Sequence, residues 1–165
     1  MAFTLITADN GVKYFRSSMI SAKHGFATRV GGVSTEKHTA SLNLSFGRGD
    51  SDETVIENLK LFSDAVGVKA ESVISHPQIH STRIMYADEA SCGEGYFKFA
   101  DEGFDGYVTD KKGVALGVKT ADCVPILLEA KKSGIIAAVH AGWRGTAAIF
   151  RLRLISWRIG SGRDL

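Results

Sequence analysis

The chain has 165 residues, 44% of them apolar and 23% charged, the ordinary ratio of one globular domain large enough to bury a core without staples. Two cysteines exclude a disulfide framework and fit a reducing, cytoplasmic setting, and no run approaches the roughly 18 apolar residues of a membrane span. A net charge of +2 with nine Phe, four Tyr and two Trp argues against both a nucleic-acid binder and a disordered tail.

The opening MAFTLITADNG lacks the basic and apolar regions of a secretory leader, so none is expected. Residues 12–16 and 22–28 read as short strands, with Gly31, Gly32 and Ser34 turning the chain after them. The clearest helix runs from Asp50 to Val66. Asp50 as N-cap with Glu53 three residues on makes an acidic capping box. Val55, Ile56, Leu59, Phe62 and Val66 recur at helical steps, and Gly67 ends the run. Residues 73–75 and 79–86 look extended around His76-Pro77, and residues 87–103 read as a surface loop or lid. Four strands follow, at 106–109, 114–118, 124–128 and 135–140. The last two are nearly continuous apolar runs, as in central strands covered on both faces. Gly145 onward can open a helix.

Several chemistries lack their motifs. G-x-x-x-x-G-K-[ST], G-x-G-x-x-G, G-x-S-x-G, C-x-x-C and H-E-x-x-H are all absent. Cys92 reads as an incidental thiol in the loop ASCGEGY. Three other residues lie beside strand ends: His80 in PQIHST, Cys123 in TADCVP and His140 in AAVHAGW. Adjacent strands are about 4.8 Å apart, so side chains at neighbouring strand ends can converge on one ion. Two imidazoles and a thiolate with a vacant fourth position suit a catalytic zinc. Each residue also has a plainer reading, as a hydrogen-bonded structural histidine or a small buried cysteine. The same set suits a type 1 copper centre, a Cys123–His140 nucleophile pair without metal, or a zinc-stabilised interaction domain.

The segments HGFATRVGGVS (24–34), SLNLSFGRGD (41–50), PQIHS (77–81), DGYVTD (105–110), VALGVKTADCVPILL (114–128) and AAVHAGWRGT (137–146) closely resemble the laccase-domain family, also labelled polyphenol oxidase-like. The resemblance implies an α/β (α+β) fold: mixed β-sheets with outer helices in a sandwich-like single domain, with the active site at a cleft edge. It implies zinc bound by His80, Cys123 and His140, which serve as catalytic and metal residues together. The implied reactions are phosphorolysis of adenosine, inosine, guanosine or methylthioadenosine, and deamination of adenosine. Expected partners are purine nucleosides and phosphate, with a homodimer as the assembly and neither nucleic acid nor membrane. Arg48 and Arg144 are candidate phosphate contacts, as guanidinium binds oxyanions bidentately. Arg29 is a third arginine of the same kind. Asn43 is placed near the nucleoside, Asp122 as a carboxylate orienting a ligand histidine, and Trp143 as a stacking face or a core residue. His24, His38 and His76 read as structural or solvent-facing. Leu59 stands where the family often has Arg. The alternative function is a copper-dependent polyphenol oxidase, against which stand only five histidines, too few for a trinuclear cluster as well.

The charge pattern breaks late in the chain. Residues 1–143 carry 11 Lys and 4 Arg against 17 acids, a net −2, whereas residues 144–165 carry five Arg, no Lys and one acid, a net +4. The resemblance fades at the same place. Residues 1–148 therefore read as an incomplete laccase-like domain and 149–165 as an atypical Arg-rich tail, from a frameshift, an early end or a basic amphipathic helix. The truncation reading expects metal binding with little turnover, an open sheet edge and a poorly packed tail.

Overall fold

A computed structural model describes residues 2–143, which divide between Ala70 and Glu71 into two compact units. The expectations for Arg144, for a helix from Gly145 and for the tail 149–165 lie outside the described residues.

The first unit is built on an antiparallel sheet of β1 (Phe3–Thr7), β2 (Lys13–Ser17) and β3 (Phe26–Ala27), in that order. Leu5 pairs with Phe15 and Phe15 with Phe26. The β1–β2 turn is closed by Asn10, whose Oδ1 accepts from Val12 N, and by Gly11 at φ 85°, a left-handed conformation that glycine adopts without steric cost. Helix α1 (Asp52–Val66) is amphipathic as its spacing predicts. Its N-cap is Ser51 rather than Asp50. The Ser51 side chain accepts from Thr54 N, while the Asp50 carboxylate is engaged by the Asn43 amide. Gly67 ends the helix at φ 79°, and its N–H donates to Ser63 O. Val12, Tyr14 and Leu42 form the core, with Phe62 and Val66 of α1 against it. Asn58, fully buried on α1, donates to Ser34 Oγ and Asn43 O and accepts from Val33 N.

The second unit holds two sheets. One is the parallel pair β4 (Val73–Ile74) and β7 (Ala115–Leu116). The other has the order β5 (Ile84–Tyr86), β6 (Gly106–Thr109), β9 (Ile135–Ala141) and β8 (Val124–Ala130). β5 and β6 run parallel; β6–β9 and β9–β8 are antiparallel. The apolar run of β9 is central and buried, as expected. That of β8 is not, because among the described residues β8 has a strand on one side only, and Val124 is 58% exposed.

The segment 87–103 is tied down rather than lid-like. Ser75 N donates to Glu94 O, and His76 is buried with its ring bonded to the Glu94 carboxylate and the Glu102 carbonyl. Gly95, at φ 83°, lies so near that a Cβ would stand 1.9 Å from Ser75 O, so the tie requires glycine. No helix among the described residues is long and apolar enough to cross a membrane.

Candidate metal centre

The register of β8 against β9 sets two of the three ligand positions. His140 is the penultimate residue of β9 and faces Pro125, while Ala141 faces Val124, so Cys123 stands just beyond the paired end of β8. The third comes from a turn. His80 has φ 55°, a left-handed conformation uncommon for a residue with a side chain. This turn carries the imidazole over the end of β9. There it meets His140 edge to face, the ring centres 4.8 Å apart. His80 Nε2 lies 3.8 Å from Cys123 Sγ, and the three donor atoms all lie within 4.8 Å of one another. His140 is buried, Cys123 half-buried and His80 exposed.

Hydrogen bonds fix this arrangement from behind. Asp105, immediately before β6, is fully buried. Its Oδ1 accepts from His140 Nδ1 at 2.8 Å and from His80 N at 2.9 Å; its Oδ2 accepts from Ser81 N at 2.6 Å and Ser81 Oγ at 2.8 Å. Burial by itself raises the Asp105 pKa, but the bonds from His140, Ser81 and His80 hold it below the usual carboxylate value. An ionised carboxylate only accepts, so the proton of neutral His140 sits on Nδ1 and Nε2 keeps its lone pair. A second clamp joins the remaining segments. The Gln78 amide donates to Lys119 O at 2.7 Å and accepts from Lys119 N at 2.6 Å, linking the strands of chain that carry His80 and Cys123. Gly142 completes the cradle: a Cβ there would stand 2.8 Å from His80 Cδ2.

The donor set opens onto a cleft of about 500 Å³ lined by His80, Asp122, Cys123, Val124, Ala141 and Trp143. Two imidazoles and a thiol beside a carboxylate-oriented histidine fit a borderline cation such as zinc or copper, with solvent access for a further ligand. Trp143 is 74% exposed at this cleft rather than in the core. Asp122 is exposed on the cleft wall; the carboxylate that orients His140 is Asp105.

The other described candidates belong to the first unit. Asn43 belongs to the first unit, where its Nδ2 donates to Asp50 and Ser45 O and its Oδ1 accepts from Ser45 N. Arg48 is exposed in the same unit, and its carbonyl is bonded by the His38 ring. Arg29 Nε donates to Ala40 O, a loop-holding bond. Sequence reasoning passed over Asp105, Gln78 and Gly142. Each lies in or beside a segment of recognisable motif, but its partners are 24 to 62 positions away in the chain for Asp105 and Gly142, and 41 for Gln78.

Known proteins place the chain. A purine nucleoside phosphorylase of Deinococcus radiodurans is 34% identical over 152 residues, covering 92% of this chain and 56% of that protein. Adenosine deaminase RL5, from an unknown prokaryotic organism, is 34% identical over 129 residues, covering 77% of this chain and 49% of that protein. The crystal structure of YlmD from Geobacillus stearothermophilus matches at TM-score 0.81 and 30% identity, covering 92% of this chain and 58% of that one. The chain thus spans about half the length of the relatives it matches. The model of the family described as multi-copper polyphenol oxidoreductase laccase matches residues 23–155, and the chain belongs to that family.

Proposed function

We propose that this chain carries the metal centre of a purine nucleoside phosphorylase with adenosine deaminase activity, its ion a zinc held by His80, Cys123 and His140. The observation that carries the reading is the convergence of the three donor atoms within 4.8 Å at the mouth of an open cleft. When bound, zinc supplies Lewis acidity and brings the pKa of water toward neutrality. The chain's own residues do the rest. Asp105 keeps a proton on His140 Nδ1 and so leaves Nε2 free to bind. Trp143 offers a broad apolar face at the cleft for a purine ring. Arg48 and Arg144 are the proposed phosphate contacts and Asn43 the proposed nucleoside contact.

In phosphorolysis, a phosphate oxygen attacks ribose C1′, the C1′–N9 bond breaks, and the purine leaves with a proton. In deamination, water adds at C6 of adenosine and ammonia departs. The expected substrates are adenosine, inosine, guanosine and methylthioadenosine. The expected setting is cytoplasmic, where Cys92 and Cys123, both unpaired, stay reduced. Metal analysis of the purified chain, coupled to a nucleoside panel with and without phosphate, tests the reading. Bound zinc with phosphate-dependent release of base supports it. A blue absorbance with oxidation of phenols would instead assign the site to copper, which the same two imidazoles and thiolate also suit.

A further inference from the structure

We propose that Asp105 is the positioning residue of the metal centre, one carboxylate that sets both the turn carrying His80 and the tautomer of His140. This rests on the reading of His80, Cys123 and His140 as metal ligands. A fully buried carboxylate is costly unless its lone pairs are answered, and all four of its bonds here come from just three residues. Two are backbone N–H groups of His80 and Ser81, which hold the left-handed turn that a histidine does not favour by itself. The third is the Ser81 hydroxyl, which braces the same turn. The fourth is His140 Nδ1–H, 35 residues away on β9.

The main chain ties the same two places. Asp105 O accepts from His140 N at 2.8 Å, and Asp105 N donates to Arg83 O at 2.9 Å. Removing the carboxylate therefore loosens the donor set at two points at once, without touching a ligand. Asparagine is a discriminating replacement. It keeps one acceptor oxygen, but its NH₂ must face either the Ser81 donors or those of His140 and His80, so one pair of bonds is lost.

The experiment uses the metal-free and metal-loaded chain in three forms: wild type, Asp105→Asn and Ser81→Ala. In the metal-free wild type, ¹⁵N chemical shifts of the His140 ring are expected to show the Nδ1–H tautomer; an Nε2–H tautomer overturns the proposal without any variant. Zinc titration against a chromophoric chelator is expected to give a Kd about 10–100-fold weaker for Asp105→Asn, the usual cost of losing a partner behind a metal-bound histidine. For Ser81→Ala, which keeps the carboxylate, the change should stay within about threefold. Asp105→Asn binding zinc like wild type overturns the proposal. If wild type binds no zinc while His140 holds the Nδ1–H tautomer and loses it in Asp105→Asn, the metal reading fails and the positioning role stands.

Discussion

Polar side chains in the two units meet different fates. In residues 2–70 they close on one another: Asn58 uses both its amide groups on loop residues, and Asn43 is held between Ser45 and Asp50. In the second unit, three strong metal donors are gathered, His80 and Cys123 lining an open cleft with 3.8 Å between His80 Nε2 and Cys123 Sγ, and His140 buried within 4.8 Å of them. A saturated network holds a loop in shape; donors that the fold gathers and leaves facing solvent are where a ligand can add bonds. Asp105 belongs to both descriptions, being fully engaged itself and thereby directing two imidazoles toward the opening.

The largest expected effect follows from taking one donor away. Cys123→Ala should weaken zinc binding by more than about 100-fold, beyond the loss of a mere supporting partner, and abolish nucleoside turnover with it. Zinc content and phosphorolysis are measured on the same sample. A variant that keeps one zinc per chain yet turns over nothing would move the chemistry onto the thiol itself, the nucleophile alternative.

The next effect concerns two phenols of the second unit, Tyr107 and Tyr96. Burial pushes the Tyr107 pKa up to about 12, partly opposed by the bond its oxygen accepts from His76 N, and Tyr96 is raised by burial as well. The unfolded chain therefore releases these protons at lower pH than the folded one. The stabilisation is whole below about pH 10 and fades as pH rises through about 12, on the order of 2–3 kcal/mol for Tyr107. Denaturant midpoints should fall steeply between about pH 10 and pH 12, and less steeply in Tyr107→Phe. Equal slopes in the two proteins would sink this account.

Gln78→Ala comes third. It removes the two hydrogen bonds to Lys119, at about 1 kcal/mol each, and frees the segment leading to Cys123. Stability should drop by about 1–2 kcal/mol in thermal unfolding, with zinc affinity weakened less than by Asp105→Asn. Unchanged affinity would show that Cys123 is positioned by β8 alone.

How far the residues announced this structure varied with how local each determinant is. Helix α1 and strands β6 and β9 follow from periodicity and apolar runs. The expected strand 79–86 shrinks to Ile84–Tyr86, because the His80 and Ser81 N–H groups are taken by the Asp105 carboxylate instead of a neighbouring strand. Strand β1 is not among the expected strands; FTLIT alternates, but Phe3 and Leu5 are half exposed, so it has no buried apolar face. The three donors were legible as residue types at strand ends. Asp105 behind them was not, because nothing in the spacing of DGYVTD and AAVH says that β6 and β9 are neighbours.

The smallest effect tests the other side of the comparison. The sequence places the cap of α1 at Asp50, whereas the structure places it one residue later at Ser51, whose Oγ accepts from Thr54 N at 3.3 Å. Ser51→Ala should cost about 1 kcal/mol through the lost cap. Asp50→Ala acts differently, releasing the Asn43 amide. Bonds from Asn43 and the neighbouring hydroxyls hold the Asp50 pKa below the ordinary value against the opposing effect of burial. Neither change touches a metal donor, so zinc affinity should stay within about twofold of wild type for both, well short of the cost of losing a partner behind a donor. Thermal unfolding and chelator competition on the same two variants read the two quantities separately. An affinity loss as large as that of Asp105→Asn in either would mean that the closed polar network of residues 2–70 also shapes the centre, and the contrast between the units would have to be redrawn.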